Sequence, residues 1–367
     1  MSKFLALILM GTLLLTGCSI GSQNPNQKDG EKQGDVSNMK DGKITTVATV
    51  KDKLEDDSIW CATFQLIWND MKNEVVKQDV VFANQPEIVD NLNKESFTED
   101  MISDEYYYKT YGSATVSLRD EIKKDIKEKF DETSDILDSF SWDDDENIST
   151  DFRRYFFYTM LKREFEFPKI FTKLDNGKFG KTYNDVKYFG IDKSTESAVY
   201  DQVEVLYYNS KDDFAVVLHT KNNDEVVLCK SPVGKTFEEI YANMNEKAQK
   251  YDGKKFFTKY DELKVPYISF DEKREYTELE NQPFLTVDGE NAEIEKALQT
   301  IKFELDEKGG KIKSEAGMAM DVTSMAPVDT PERRYFYLDN TFAMFLKEES
   351  KDVPYFGAKI TNIKNYQ

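Results

Sequence analysis

Helix-like segments come first in this chain, and strand-like segments follow without regular alternation. Residues 58–77 and 116–140 carry apolar side chains at helical spacing, and the stripe of the second segment is Leu118, Ile122, Ile126, Phe130 and Leu137. From residue 151 onward most apolar runs are short and rich in β-branched and aromatic residues, as strands are. This order predicts an α+β fold with mixed or antiparallel sheets.

The individual runs can be placed along the chain. Strand-like runs cover residues 152–171, 203–208, 214–220, 225–228, 265–270 and 300–305. Helical spacing returns at residues 236–251 and 292–298. Near the end, residues 335–348 and 353–363 indicate two strands separated by a turn.

The composition supplies a core and excludes some partners. Of the 367 residues, 39% are hydrophobic and 13% aromatic, which is typical of a folded protein. The formal net charge is −20, from 49 Lys and Arg against 69 Asp and Glu. Because phosphate backbones are bound through Lys and Arg, we predict no nucleic-acid partner, and anionic lipid is not an electrostatic target.

The N-terminus carries a short apolar run that ends in a cysteine. Residues 4–15 are too few for a bilayer-spanning helix, which needs ~20 residues, and indicate a secretory signal peptide. The run ends in Leu15, Thr16, Gly17 and Cys18, which resembles the bacterial lipobox. The resemblance implies that Cys18 is acylated and becomes the mature N-terminus. The alternative is an ordinary secretory leader with an incidental cysteine.

Polar residues follow Cys18. Residues 19–43 are mostly Gly, Ser, Asn, Gln, Asp and Lys, which cannot bury enough surface to fold. We therefore predict a lipoprotein signal peptide at 1–17, a lipidated cysteine with a flexible tether at 18–43, and a single domain at 44–367. The acylated Cys18 would hold the protein in the lipid bilayer of the cell membrane, facing outside the cytoplasm.

Few residues suggest chemistry. Cys61 and Cys229 lie in apolar surroundings without C-x-x-C spacing, which favours free buried thiols over a disulfide. His219 lies in a strand-like run without a nucleophile motif, so no catalytic residue is predicted. The acidic run at 143–146 lacks the spacing of a calcium loop and indicates a solvated linker. We expect no metal site and no cofactor.

The C-terminal region resembles a known family. Residues 297–309 (ALQTIKFELDEKG) resemble an apolar strand ending in Asp-Glu-x-Gly, and residues 314–320 (SEAGMAM) resemble a Thr-Glu hinge followed by small residues. Residues 338–346 (LDNTFAMFL) and 354–362 (PYFGAKITN) are similar to the two strands that follow the loop. These motifs have this order in the serpins, and the chain resembles a divergent bacterial serpin.

Weaker similarity to the serpins extends upstream. Residues 265–270 resemble the Leu-Pro-Lys-Phe strand, 122–137 the helix lying across the large sheet, and 157–168 the strand with Asn-x-x-x-Phe-x-x-x-Trp. The resemblance implies an α+β serpin-like fold with N-terminal helices, a large mixed central sheet and a C-terminal antiparallel strand pair. An exposed loop would lie between the sheet and the pair.

This chain also departs from the serpin pattern. Phe157 and Phe165 stand where Asn and Trp are usual, and Thr341 replaces a proline of the first strand after the loop. Four additional residues, 310–313, precede the hinge.

The resemblance implies a protease inhibitor that acts through its loop. In serpins the cleaved loop inserts as a new strand and drags the acylated protease with it. The hinge-like residues here are Ser314, Glu315, Ala316 and Gly317. The candidate bait segment within residues 322–331 contains Thr323, Ser324, Met325 and Ala326. A target protease is the implied partner, and no enzymatic activity is expected.

Two other functions stay open. The four additional residues and the missing Asn and Trp suit a non-inhibitory surface lipoprotein that binds a ligand or a protein on the same scaffold. Charge alone supports a third function, the capture of a metal or solute by acidic loops such as 143–146.

Overall fold

The computed structural model describes residues 44–144, 153–310 and 333–367. The α-helices in these ranges are α1 (Thr63–Asp70), α2 (Glu87–Leu92), α3 (Val116–Phe130) and α4 (Phe237–Lys250), and a π-helical stretch (Met71–Val76) continues α1. The strands in the same ranges are β1 (Thr45–Val47), β2 (Ser58–Cys61), β3 (Tyr107–Gly112), β4 (Arg153–Lys162), β5 (Phe165–Glu166), β6 (Thr172–Phe179), β7 (Tyr183–Ile191), β8 (Val203–Ser210), β9 (Asp213–His219), β10 (Asp224–Lys230), β11 (Glu262–Pro266), β12 (Ile268–Glu275), β13 (Pro283–Leu285), β14 (Asn291–Asp306), β15 (Gly309–Gly310), β16 (Tyr335–Tyr337), β17 (Phe342–Glu348) and β18 (Phe356–Ile360).

The first sheet has seven strands in the order β1-β2-β18-β17-β10-β9-β8. β1 and β2 pair in parallel, and the other neighbours pair antiparallel. Nearly every residue of β9, β10 and β17 is buried, because the central strands are covered on both faces. On one face Phe237 of α4 packs edge-on against Phe345 of β17, with ring centroids 6.0 Å apart.

The second sheet is built around β14, which has 16 residues. Its order is β3-β4-β14-β15-β5. β12 and β13 pair with β14 along its other edge. Leu305 pairs with Ile268 of β12 on that edge and with Gly310 of β15 on the opposite edge. Ala292 likewise pairs with Phe284 of β13 on one edge and with Arg153 of β4 on the other. A third sheet has the order β16-β11-β7-β6.

Helix α3 lies across the second sheet. The Thr115 hydroxyl caps its start by accepting a hydrogen bond from the Leu118 backbone N–H (3.2 Å). The apolar stripe Leu118, Ile122, Ile126 and Phe130 packs against Phe156, Tyr158 and Met160 of β4 and Leu298 of β14. Four of the five predicted stripe residues therefore lie on α3, across the large sheet, while Leu137 lies beyond the helix and packs in the same cluster.

The prediction of a helix at residues 292–298 is wrong. These residues belong to β14 and pair with β4 on one edge, and parts of the run also pair with β13 and β12 on the other. The run AEIEKAL contains strong helix formers, but hydrogen bonding to neighbouring strands outweighs that local preference.

Boundaries differ at the other predicted elements. Residues 58–61 form β2, which pairs with β18, and α1 begins at Thr63. α3 ends at Phe130, and the left-handed φ of 53° at the next residue, Asp131, stops the helix before Leu137. Residues 335–348 form two strands, β16 and β17, rather than one.

Several predictions about the fold are confirmed. The fold is α+β with large mixed sheets, and β17 and β18 form the C-terminal antiparallel pair. Cys61 and Cys229 are buried free thiols, and burial raises the pKa of each to about 11. Within the described ranges, no helix is long and apolar enough to cross a membrane.

Candidate functional site

The candidate site is the seam between β4 and β14. These strands pair in parallel from Ala292 opposite Arg153 to Lys302 opposite Lys162, with one irregularity between Ile294 and Lys296. About 140 residues of chain separate the paired residues, so the seam joins distant parts of the sequence. It runs under α3, whose apolar stripe contacts both strands.

Beyond the end of this seam, β15 lies between β14 and β5. Gly310 pairs antiparallel with Leu305 of β14 and with Phe165 of β5, and Gly309 pairs with Asp306 and Glu166. β12 occupies the other edge of β14 at Leu305, so β15 lies on the edge that faces β4. The chain therefore reverses direction after β14. The two residues of β15 then run antiparallel to β14, along the same edge of β14 that pairs with β4 in the seam.

Glycine is required at this reversal. Gly309 has φ +139°, and a Cβ there would lie 2.2 Å from the carbonyl oxygen of Phe165. At Gly310 a Cβ would lie 3.1 Å from the Phe165 ring. The Asp306 carboxylate accepts hydrogen bonds from the backbone N–H groups of Lys308 (2.7 Å) and Gly309 (3.2 Å), which fixes the turn.

The Glu307 side chain holds the same turn to the third sheet. It is 5% exposed, accepts a hydrogen bond from the Tyr267 hydroxyl (2.6 Å) and pairs with Lys173 at 3.1 Å. Burial raises the pKa of Glu307, but the Tyr267 hydrogen bond and the Lys173 charge outweigh it, so the pKa lies below its ordinary value of 4.5. Two backbone hydrogen bonds add to this attachment: the Phe171 N–H donates to the Glu307 carbonyl (2.9 Å), and the Phe167 N–H donates to the Lys308 carbonyl (2.8 Å).

The turn between β9 and β10 fixes β5. The Lys221 N–H donates to the Glu166 carbonyl (2.7 Å), and the Glu166 N–H donates to the Asn222 side chain (3.1 Å). Next to this turn, Arg163 pairs with the fully buried carboxylate of Asp224. β5 is thereby tied to the first sheet, and it forms a fixed wall for β15.

Buried polar side chains cross beneath the seam. The Gln299 amide of β14 donates to the Thr63 hydroxyl (2.9 Å), which donates to the Thr159 hydroxyl of β4 (3.3 Å). The Tyr276 hydroxyl donates to the Gln299 amide oxygen (2.8 Å). All four side chains are buried, so this network links both strands of the seam to the start of α1.

The chain returns to the described fold at Arg333. The Arg334 guanidinium pairs with Asp261 (2.8 Å) and donates to the carbonyl oxygens of Lys254 (2.6 Å) and Phe256 (2.8 Å). Arg334 immediately precedes β16, which pairs in parallel with β11. This buried pair fixes the point at which residues 311–332 rejoin the fold.

Most predicted site residues lie outside the described residues. These are Leu15, Thr16, Gly17 and Cys18 at the N-terminus, the hinge-like Ser314, Glu315, Ala316 and Gly317, and the bait residues Thr323, Ser324, Met325 and Ala326. The structure instead defines the two ends between which the hinge and bait residues lie, at Gly310 and Arg333.

The two aromatic departures from the serpin strand are core residues. Phe157 packs against Tyr111 (ring centroids 5.9 Å apart), and Phe165 packs against Phe303 (6.0 Å). Thr159 is the β4 residue whose buried hydroxyl joins the network beneath the seam, and it was not among the predicted site residues. The sequence signal for this residue was a threonine within the otherwise apolar and aromatic run 156–161.

The remaining candidate groups lie elsewhere. His219 is half-buried on β9, with its ring nitrogens 3.5 Å from Glu204 and 3.8 Å from Glu225. Of the acidic run, Asp143 and Asp144 are described, and Asp143 pairs through its backbone with Ala114 and Val116. In the described part of the chain, no group of three or more His, Cys, Asp or Glu side chains is placed to hold a metal ion.

No family model and no curated protein matches this sequence. Solved structures similar to the chain include a serpin of the insect Tenebrio molitor, described as highly specific, with 12% identity and a TM-score of 0.39 over 71% of this chain and 77% of that one. Human thyroxine-binding globulin is similar at 13% identity and a TM-score of 0.42, over 68% and 65% of the two chains. A serpin of Schistosoma mansoni is similar at 12% identity and a TM-score of 0.38, over 66% and 63%.

Proposed function

We propose that this protein is a membrane-tethered, extracytoplasmic protease inhibitor whose segment 311–332 carries the bait, within residues 322–331, and inserts into the sheet after cleavage. Residues 44–367 act as a single domain of bacterial serpin type, and acylated Cys18 is the anchor. A protease is the partner, and the protein itself has no enzymatic activity.

The direction of β15 carries this proposal. A strand inserted between β4 and β14 after Gly310 would run antiparallel to both, and β15 already runs antiparallel to β14 on the edge that faces β4. Insertion would therefore extend an existing two-residue strand rather than start a new one. Extending a strand requires less ordering than nucleating one.

The register of β15 assigns a sheet face to each residue that follows. Directly paired residues share a face, so Gly310 lies on the side of buried Leu305 and Phe165. If the strand continued, the residues facing the core would be Ile312, Ser314, Ala316, Met318, Met320 and Val322. The residues facing away would be Lys311, Lys313, Glu315, Gly317, Ala319 and Asp321.

This alternation suits an inserted strand. The face toward the core receives apolar and small residues, and the opposite face, part of which lies under α3, receives all four charged ones. Ile312 and Lys311, which belong to the four additional residues, follow the same pattern. The additional residues are thus compatible with insertion in this register.

Limited proteolysis with melting curves tests the proposal. The purified full-length chain in mild detergent is cut with a panel of serine and cysteine proteases, and the nick is identified by N-terminal sequencing. We expect a cut within residues 322–331, a rise in Tm of the nicked protein, and an SDS-stable complex with at least one protease. A cut in this segment without a rise in Tm and without any complex would contradict inhibition by insertion.

The network beneath the seam favours a second candidate function, that of a non-inhibitory binding protein on the same scaffold. Separating β4 from β14 would stretch the Thr63–Thr159 hydrogen bond, and each buried polar group left unpaired costs about 1–3 kcal/mol. The double variant Thr63→Val/Thr159→Val distinguishes the two functions. Inhibition predicts that this variant inserts its cleaved loop at least as fast as the parent, whereas a permanently closed scaffold predicts no insertion in either protein.

A further inference from the structure

A basic turn lies beside the point where the chain returns from the bait. This turn, residues 252–261, exposes Lys254, Lys255 and Lys259 around the exposed Phe256. Arg333 is also exposed, and its guanidinium lies 3.9 Å from the Glu262 carboxylate. The turn and Arg333 thus place four exposed cationic side chains near one another in a chain whose net charge is −20.

The basic turn is rigidly attached to the end of the bait. Arg334 donates to the Lys254 and Phe256 carbonyl oxygens and pairs with Asp261, so three points of the turn contact one buried side chain. The Val205 N–H donates to the Lys255 carbonyl (2.7 Å), which holds the turn to β8. The turn therefore keeps a fixed position next to residue 333.

The lysines of the basic turn are available for an external partner. In the described part of the chain, none of the three ammonium groups has a carboxylate partner, and Lys259 lies 5.2 Å from the Tyr260 ring centroid. The nearby acidic residues are Asp252 in the turn, Glu262, and Glu204, whose backbone pairs with Phe256. Buried Asp261 is already neutralised by Arg334.

Phe256 gives this surface an apolar centre. It is 62% exposed, whereas the next residue, Phe257, is 6% exposed and packs against Phe336 with ring centroids 4.9 Å apart. Phe257 thus anchors the turn, and the Phe256 ring points outward among the lysines. Aromatic side chains are enriched in the contact surfaces between proteins, so a partner protein could bury the Phe256 ring.

We propose that the basic turn is a docking surface for an acidic surface on the protease that attacks the bait. This inference rests on the proposed function, because it assigns the turn to the same protease. Short-range pairing of the lysines with carboxylates would hold the protease against the net negative charge of the whole chain, and the turn is fixed beside residue 333, where the bait segment ends.

Two trypsins of opposite charge provide the probe. All proteins carry Met325→Arg, so that anionic and cationic trypsin cleave the same bond in the bait. The docking variant adds Lys254→Glu, Lys255→Glu and Lys259→Glu. The control adds Lys53→Glu, Lys77→Glu and Lys364→Glu, three exposed lysines elsewhere with the same total change in charge. Cleavage after residue 325 is followed by N-terminal sequencing, and rates are normalised to a neutral peptide substrate.

The net charge of −20 favours cationic trypsin in every variant, so the ratio of anionic to cationic cleavage rates is compared between variants. At low salt we expect this ratio to be about tenfold lower in the docking variant than in the control, which has the same net charge, and this difference to fade at high salt. Phe256→Ser should slow cleavage by anionic trypsin. An equal ratio in the parent and the docking variant, or an equal fall in the control, would overturn the proposal. Retention of the parent on heparin without any difference in this ratio would also overturn it, in favour of a glycan.

The same reactions separate this inference from the proposed function. SDS-stable complexes are measured alongside the cleavage rates. A lower ratio in the docking variant than in the control, without any complex, would support the docking surface and contradict inhibition by trapping. A complex without any difference in this ratio would support trapping and contradict the docking surface.

Discussion

At the scale of single residues, Gly309 sets the geometry at the end of the seam. Its φ of +139° is a conformation that L side chains rarely adopt, and its position against the Phe165 carbonyl leaves no room for a Cβ. The reversal of the chain after β14 therefore depends on two properties of glycine at once. These are its backbone freedom and its lack of a side chain.

Replacing this glycine separates the two properties. We expect Gly309→Ala to lower the free energy of unfolding by about 3 kcal/mol, since it adds both strain and a clash. Gly289→Ala is the matched control, because Gly289 also has positive φ (+80°) but no atom within 4 Å of an added Cβ. The control should cost about 1 kcal/mol. Equal costs in urea unfolding would contradict the role of the Phe165 contact.

Glu307 makes the attachment of this turn dependent on pH. Its pKa is lowered in the folded protein, so its carboxylate stabilises the fold above the ordinary pKa of 4.5. That contribution is lost as the pH falls below 4.5 toward the folded pKa. We expect Glu307→Gln to destabilise the protein by about 2 kcal/mol at pH 7 and by much less near pH 3.

Chemical unfolding at several pH values checks this prediction. Tyr267→Phe serves as a second variant, since it removes one hydrogen bond but leaves the carboxylate and Lys173 in place. Its effect should be smaller and should have the same pH dependence. A destabilisation by Glu307→Gln that is constant from pH 3 to pH 7 would show that charge at Glu307 is not the cause.

Single residues of the site were only partly predictable from the sequence. The motif Asp306–Gly309 was recognisable, because its composition is local. The partners of Gln299 were not, since Thr63 lies 236 residues away and the contact depends on how α1 packs on the second sheet. The partners of Glu307 were not predictable for the same reason, since Lys173 lies on β6 and Tyr267 between β11 and β12.

At the scale of elements, β14 shows why local patterns fail where strands are central. Its residues 292–298 have a helical composition, yet the strand is paired on both edges, and pairing decides its conformation. α3 was predicted well because its stripe repeats over 15 residues and packs on a single face. Its end was not, because Asp131 adopts a left-handed conformation that its neighbours do not signal.

The register of β15 leads to a prediction about the segment beyond it. If the cleaved segment inserts, Ile312 faces the core and Lys311 faces away. Burying an unpaired carboxylate costs several kcal/mol, so Ile312→Asp should lower the Tm of the cleaved protein by about 5 °C or more. Lys311→Asp is the matched control and should leave that Tm within about 1 °C of the parent. The reverse result would mean that the strand enters one residue out of register.

At the scale of the whole molecule, lipid rather than charge is expected to determine the location. We predict that the full-length protein fractionates with membranes and incorporates a labelled fatty acid, whereas Cys18→Ala is released in soluble form. Cys229→Ala is the control, since Cys229 is a buried thiol of the folded part. Membrane association that persists at high salt in Cys18→Ala would contradict the anchor.

The α+β class of the whole molecule followed from the order of helical and strand patterns, because each pattern is local. The strand order of the three sheets did not follow, because pairing between distant segments leaves no periodic signal. The seam is the clearest case, with its two strands drawn from residues 153–162 and 292–302.

The position of β17 and β18 also affects how the chain can fold during synthesis. These two strands come from the last thirty residues, yet they lie inside the first sheet, between β2 and β10. β2 and β10 each lack the partner on one edge until residues 342–360 have been synthesised. The first sheet therefore cannot close from the N-terminus onward, and a nascent chain would expose unpaired apolar strands until residue 360 is free. If the chain is exported as proposed, this strand order predicts that it needs a holding chaperone before export.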